Sequence, residues 1–372
     1  MGSPAVGALL DLVQSSGAGW LAVGGLLIGM AFGYLVIRTN FCTMGAISDF
    51  VSFGDYRRFR AWVLAAATAI VGTQLLTAAG VVPIAKSMYL GPSLNWVGHI
   101  AGGALFGYGM VFAGGCASRN LARVGAGDLR ALLTLVVMGL VAYMAIGGIF
   151  GPVRSWLEQA TSLDLGRLKL TTQSLGELVG SRSGLGARSG NLVAAVLIAG
   201  AAAAYCFADR SFRASPVHIV AGLGVGLAAV AGWALTGLAY DEMAVKPASP
   251  VSLTYVRPTA DAIEWLQRFT AGMMPGFGVT SVFGAILGAF IGAKAMGRFK
   301  LTTFSDVSDT RRSLFGAALM GIGGVMALGC TIGQGVTGVS TLAIGSFLTF
   351  AAIVAGGIAG MKRMEAIMMR EA

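Results

Sequence analysis

Long apolar runs alternate with short polar, often basic, stretches along the whole 372-residue chain. Nine runs, at about 19–37, 61–82, 98–115, 131–151, 191–208, 217–235, 277–296, 311–329 and 341–361, approach the ~20 residues that cross ~30 Å of hydrocarbon as a helix. They are too long for barrel strands. A backbone in lipid must also satisfy its own hydrogen bonds, so the pattern predicts an all-α polytopic membrane protein. Glycines four residues apart, Gly284, Gly288 and Gly292 and also Gly98 with Gly102, predict close helix crossings.

Composition strengthens this reading. Only 11% of residues are charged and the mean hydropathy is +0.77, whereas a soluble domain carries about 25% charged residues. The net charge of +10 reads as a topology signal and not as nucleic-acid binding. Basic residues sit in short loops such as "RRFR" (Arg57 to Arg60), with no basic tail and no interleaved aromatics. Loops 55–60, 119–130, 209–213 and 297–312 are therefore expected on the cytoplasmic side, as is a tail at 362–372 holding Lys362, Arg363 and Arg370. Stretches 83–97, 152–190, 240–275 and 330–340 are expected outside. The assignment alternates across nine spans and puts the N-terminus outside and the C-terminus in the cytoplasm. The first residues lack a basic n-region, so no removable signal peptide is expected.

A repeat lies in the glycines. Gly33, Gly107 and Gly321 each stand nine residues before a cysteine, Cys42, Cys116 and Cys330. Phe32, Phe106 and Met320 precede those glycines; Thr43, Ala117 and Thr331 follow the thiols. A fourth copy is read in "GVGLAAVAGWALTG", with Gly224, Gly232 and Ala234 framing Trp233 in the cysteine's place. The copies form two pairs, one in a first repeat at 19–151 and one in a second at 217–361. An N-terminal segment at 1–18 precedes them, and an external loop plus a linking helix at 152–216 separates them. One odd linking span inverts the second repeat, a plan that puts a substrate path at the repeat interface. "NFCTMGAISDFVSFG" and "CTIGQGVTGVST" are too short and polar for spans. They are expected to be short re-entrant helices shielded from lipid, with N-termini that suit an anion.

"NFCTMGA" (40–46), "FGYGMVFAGGCASRN" (106–120) and "MGIGGVMALGCTIGQG" (320–335) resemble the YeeE/YedE family of sulfur-transport membrane proteins. The resemblance covers about 30–150 and 217–360. It implies an hourglass-like protein of the bacterial inner membrane that takes up thiosulfate past three cysteines, which by motif are Cys42, Cys116 and Cys330. Thr43, Ser118, Asn120, Thr331 and Gln334 stand beside them as supporting anion contacts. The chain departs from the family pattern at Arg119, where a small residue is common, and Cys206 matches no family motif. No sulfur-carrier sequence follows residue 361, so a cytosolic carrier partner is expected to be a separate protein.

Thiosulfate is a dianion with one soft terminal sulfur. A neutral thiol is a weak S–H donor, and apolar burial favours the protonated form. Weak donors in series suit a permeating ion, which must enter readily and also leave. A buried cysteine is otherwise a small hydrophobe, the reading kept for Cys206. With only His99 and His218 and no Cys-x-x-Cys spacing, neither a metal site nor a cofactor is expected. Asp49 is either a functional acid at membrane depth or a lip residue paired with Arg57 or Arg58. Arg38 either draws anions or anchors the interface. Two other functions stay open: transport of another small sulfur or selenium species, and a membrane sulfurtransferase working through a cysteine persulfide. The latter needs a cation beside a thiol, which only Arg119 near Cys116 offers.

Overall fold

The structure is a computed structural model that describes residues 17–168, 170–183, 186–243, 249–271, 274–304 and 306–371. The expectations for residues 1–16, including the missing signal peptide, lie outside the described residues. The described chain is helical, apart from the two-residue strands Ser93–Leu94 and Leu163–Asp164, which pair antiparallel. In order the helices are α1 (Gly17–Thr39), α2 (Thr43–Ser52), α3 (Arg57–Ala78), α4 (Gly103–Phe112, entered through a π-helical turn at Gly98–Gly102), α5 (Ala117–Gly125) and α6 (Leu129–Ile146). Next come α7 (Gly151–Thr161), α8 (Leu175–Ser183), α9 (Ala187–Ala208), α10 (Arg210–Arg213), α11 (Pro216–Leu238) and α12 (Arg257–Gln267). The last three are α13 (Phe277–Ala295), α14 (Val307–Met326) and α15 (Ile344–Glu371), with a π-helical segment at Gly333–Gly338 before α15.

Eight stretches of the described residues are long and apolar enough to span a membrane, which makes the chain a multi-pass membrane protein. The ninth expected span, 311–329, is present as α14. Asp309, Arg311 and Arg312 load its first turns with charge, so residues 313–326, about 21 Å of helix, carry its apolar part. α15 runs on to Glu371, so the expected tail at 362–372 is helical at least as far as that residue. No glycine or proline follows Gly360, and Met361, Met364 and Met368 keep the helical spacing.

The frame glycines are helix crossings. A Cβ on Gly33 would lie 2.0 Å from the Ala285 carbonyl oxygen in α13, one on Gly107 2.1 Å from that of Ile353 in α15, and one on Gly321 2.7 Å from that of Met138 in α6. Facing glycines do the same from the other side: a Cβ on Gly288 would lie 1.9 Å from the Met30 carbonyl oxygen. The residue before each frame glycine, Phe32, Phe106 or Met320, is fully buried.

Helix packing is reciprocal between the halves. α1 lies on α13 and α11 on α3; α4 lies on α15 and α14 on α6. Exchanging the halves carries each of these pairs into the other. The short helices follow the same rule, with α2 against α3 and α15 and α12 against α13 and α6. Loop contacts sort the two ends of the bundle. The Lys300 N–H donates to the Ala126 carbonyl at 3.1 Å, and Arg60 meets Asp209 at 2.8 Å. Past the other end of α3, Lys86 meets Glu242 at 2.8 Å.

Two expectations are corrected. The chain does not break at Trp233, which sits inside α11, donates to Ser340 Oγ at 3.0 Å and packs edge-on to Tyr89. Ala231, two residues earlier, stays helical, and the crossing glycines of α11 are Gly222 and Gly226, on either side of Gly224. The stretch 240–275 is not simply external, because residues 251–255 pass through the core outside any helix or strand, with Leu253 and Tyr255 wholly buried. Two of its polar groups are matched there. Ser252 Oγ donates to the Ala229 carbonyl at 2.6 Å, and Thr337 Oγ1 donates to the Leu253 carbonyl at 2.7 Å. Irregular backbone survives at membrane depth when protein satisfies and shields it in this way.

Candidate functional site

Each motif cysteine follows the same stop signal. Two residues before it stands a left-handed residue: Asn40 at φ 55°, Gly114 at φ 69° and Leu328 at φ 57°. The residue in between closes the helix behind it. The Phe41 N–H donates to the Val36 carbonyl at 3.2 Å, Gly115 to Met110 at 2.9 Å and Gly329 to Gly324 at 2.8 Å. This is the Schellman pattern, which satisfies the last free carbonyls of a helix and turns the chain sharply. The cysteine then begins a new short helix.

Cys42 caps α2, its Sγ accepting the Gly45 N–H at 3.4 Å, and Cys116 caps α5. Cys330 Sγ accepts the Gly333 N–H at 3.4 Å, and its carbonyl takes the Gln334 N–H at 2.8 Å, the first bond of the next helix. Ile332 and Tyr255 also lie close to Cys330. All three thiols are buried and free. Each therefore sits at the positive end of a short helix that stops within the bundle.

The thiols form a row. Cys42 has Cys116, Arg119 and Arg58 as charged or polar neighbours, and Cys330 has Cys116. Cys116 is the neighbour that the other two share, and it links them into the row. Around the row collect buried polar atoms that have no hydrogen-bond partner: Thr43 Oγ1, Arg119 Nη1, Tyr255 Oη, Thr331 Oγ1 and Gln334 Oε1. Buried polar groups are nearly always paired, and an unpaired one costs about 1–3 kcal/mol, so a group of them argues for a ligand.

The other supporting residues are engaged. Ser118 Oγ lies 3.3 Å from Cys116 Sγ. Asn120 Nδ2 donates to the Gly115 carbonyl at 2.9 Å, and Gln334 Nε2 donates to the Ala327 carbonyl. Both amides brace the turn that precedes their thiol. Asp49 pairs with Arg58 at 3.2 Å, the lip arrangement. Arg38 is exposed and donates to Tyr34 Oη at 2.5 Å, an anchoring contact. Cys206 lies elsewhere, in α9, donating to the Arg60 carbonyl at 3.2 Å.

Clefts open at both ends of α14. One, of about 500 Å³, is lined by Arg154, Thr254, Arg257, Gly324 and Gly329, next to Cys330. The other, of about 250 Å³, is lined by Gly114, Arg123, Arg130, Asp309 and Arg312, two residues from Cys116. Asp309 and Gly324 lie about 22 Å apart along the helix, so the two clefts open well apart, one reaching Gly329 beside Cys330 and the other Gly114 near Cys116.

Tyr255 escaped the sequence reading because it belongs to a stretch assigned outside. The available signal was "PVSLTYVRP", an apolar-rich segment bracketed by Pro250 and Pro258 and unlike a solvated loop.

The family model described as sulphur transport matches residues 38–359. The chain is 31% identical over 331 residues to the thiosulfate transporter TsuA of Spirochaeta thermophila, covering 87% of this chain and 93% of that protein. It is 26% identical over 343 residues to the thiosulfate transporter TsuA of Escherichia coli, covering 85% and 86%. A probable transporter of Escherichia coli, YedE, is 34% identical over 91 residues, 24% of this chain and 21% of its own.

Proposed function

The chain belongs to the sulphur transport family, and from that footing we propose that it takes up thiosulfate across the bacterial inner membrane along Cys42, Cys116 and Cys330. The family is one of transporters, so the persulfide-forming enzyme is set aside. Two relatives matched over most of their length are thiosulfate transporters, which supports this cargo.

The observation that carries the path is the row itself: three buried cysteines, each at the start of a short helix, with unpaired polar atoms gathered around them. The cleft holding Arg154 and Arg257 faces the periplasm and draws in the dianion. The anion passes Cys330, then Cys116, then Cys42. Each station offers a weak S–H donor and the N–H groups of a helix start, a set that admits an anion without trapping it. Thr43 and Thr331 add hydroxyls.

In this reading 19–151 and 217–361 are inverted repeats around the row, the N-terminus is outside, and the C-terminus is cytoplasmic. The reciprocal helix packing and the clefts at the two ends of α14 support that arrangement. A separate cytosolic sulfur carrier consumes the product.

The test is growth of a sulfur-auxotrophic bacterium on thiosulfate alone. Cys42→Ala, Cys116→Ala and Cys330→Ala should each cut growth, and Cys206→Ala should not. Wild-type uptake by two of the three motif variants would sink the thiol path.

A further inference from the structure

The half that carries Cys330 has a second station whose residue is not a cysteine. α12 occupies in its half the place that α2 occupies in the other, since α2 packs on α3 and α15 and α12 on α13 and α6. Tyr143 Oη ties α12 to α6 by hydrogen bonds of 2.6 Å to both Asp261 and Glu264. α2 begins at the cap Cys42; α12 begins at the cap Val256, and Tyr255 stands immediately before it. The counterpart of the Cys42 cap is therefore Val256, and Tyr255, one residue earlier, brings the polar side chain at that station.

The surroundings of Tyr255 fit a ligand contact. Its side chain is wholly buried, yet its hydroxyl has no partner. Its ring stacks on Phe32 at 5.1 Å between centroids, which fixes it in place. Tyr255 is an electrostatic neighbour of Cys330, and its chain neighbours Thr254 and Val256 line the cleft that also reaches Gly329. A hydroxyl held rigid and unpaired between a vestibule and a thiol is poorly explained by packing, because a phenylalanine would fill the same space without an unsatisfied group.

We propose that Tyr255 is a fourth donor station, the outermost of the row, whose hydroxyl binds an oxygen of the incoming anion while Cys330 meets its soft sulfur. The assignment rests on the thiosulfate reading above. A phenol O–H is a harder and stronger donor than a thiol, so it suits the sulfonate end of thiosulfate. It also gives the entrance a test that the thiols alone do not apply, namely that the cargo must carry oxygen acceptors as well as a sulfur.

The experiment is uptake of radiolabelled thiosulfate by purified protein in liposomes, wild type against Tyr255→Phe, with the melting temperature of each protein measured in parallel. Tyr255→Phe should raise KM about tenfold, as expected for losing one hydrogen bond to an anion, with the melting temperature held or raised. Sulfate, which has oxygens and no soft sulfur, should compete in wild type and compete less in Tyr255→Phe. Wild-type KM in Tyr255→Phe overturns the assignment and leaves the thiol path standing. A lowered melting temperature also overturns it, by giving the hydroxyl a structural partner. No thiosulfate uptake by wild type overturns the functional reading and this assignment together.

Discussion

A guanidinium nitrogen shut away from water near a thiol has lost a partner, and a passing anion restores part of what it lost. Arg119 is in that position. Its stem folds over Gly115, where a Cβ would meet Arg119 Cγ at 3.0 Å, and its Nη1 is buried and unpaired near Cys42 and Cys116. Arg58, also near Cys42, differs because Asp49 neutralises it. One uncompensated cation is thus set in a row of weak donors, enough to favour a dianion without the trap that a ring of arginines makes. Arg119→Gln should raise the KM for thiosulfate about tenfold, within the range for a hydrogen bond to a charged group, and Arg119→Lys should recover most of it. Unchanged KM in liposome uptake by Arg119→Gln would place recognition in the thiols alone. The cysteines were legible in the sequence because thiol, glycine and motif recur together. The free ends of Arg119 and Tyr255 were not, since whether a polar atom has a partner depends on residues far away in the chain.

Among the helices, the nine-residue offset from glycine to thiol has a mechanical meaning. The glycine sets where two helices cross, and the left-handed stop two residues before the cysteine sets where the chain turns back. Together they hold the thiol at a fixed depth relative to the partner helix. Gly33→Val should therefore yield little folded protein, seen as loss of the monodisperse peak in size-exclusion chromatography, because its Cβ would stand 2.0 Å from a backbone oxygen that cannot move aside. Gly147→Ala, where a Cβ would meet nothing within 4 Å, should behave as wild type. The long helices were readable from apolar run length. The fourth repeat copy was placed at Trp233 because this glycine-rich chain offers several registers, whereas the short helix packed in its half as α2 is in the other begins 24 residues beyond Trp233, at Arg257. No single-frame alignment recovers an insertion of that size.

At the scale of the whole molecule, the membrane potential opposes the proposed traffic. An inside-negative potential resists anion entry by about 2.3 kcal/mol per charge per 100 mV, so a dianion faces about 4.6 kcal/mol at that voltage. A passive path then stalls with the inside about 10³-fold below the outside. Proton cotransport offers one escape, and it requires a proton carrier at the row. Asp49, the acid nearest a motif cysteine in sequence, is already engaged by Arg58 at 3.2 Å at the lip and is not at the row. The structure thus favours the other escape, a facilitated path drained by consumption of thiosulfate in the cytosol. In liposomes loaded with nothing but buffer, internal thiosulfate should settle at the level set by the imposed voltage and ignore an imposed pH gradient. Asp49→Asn should settle at the same level. Accumulation above that level that tracks the pH gradient and disappears in Asp49→Asn would make the protein a proton symporter, with Asp49 and not the lip pair as its working acid.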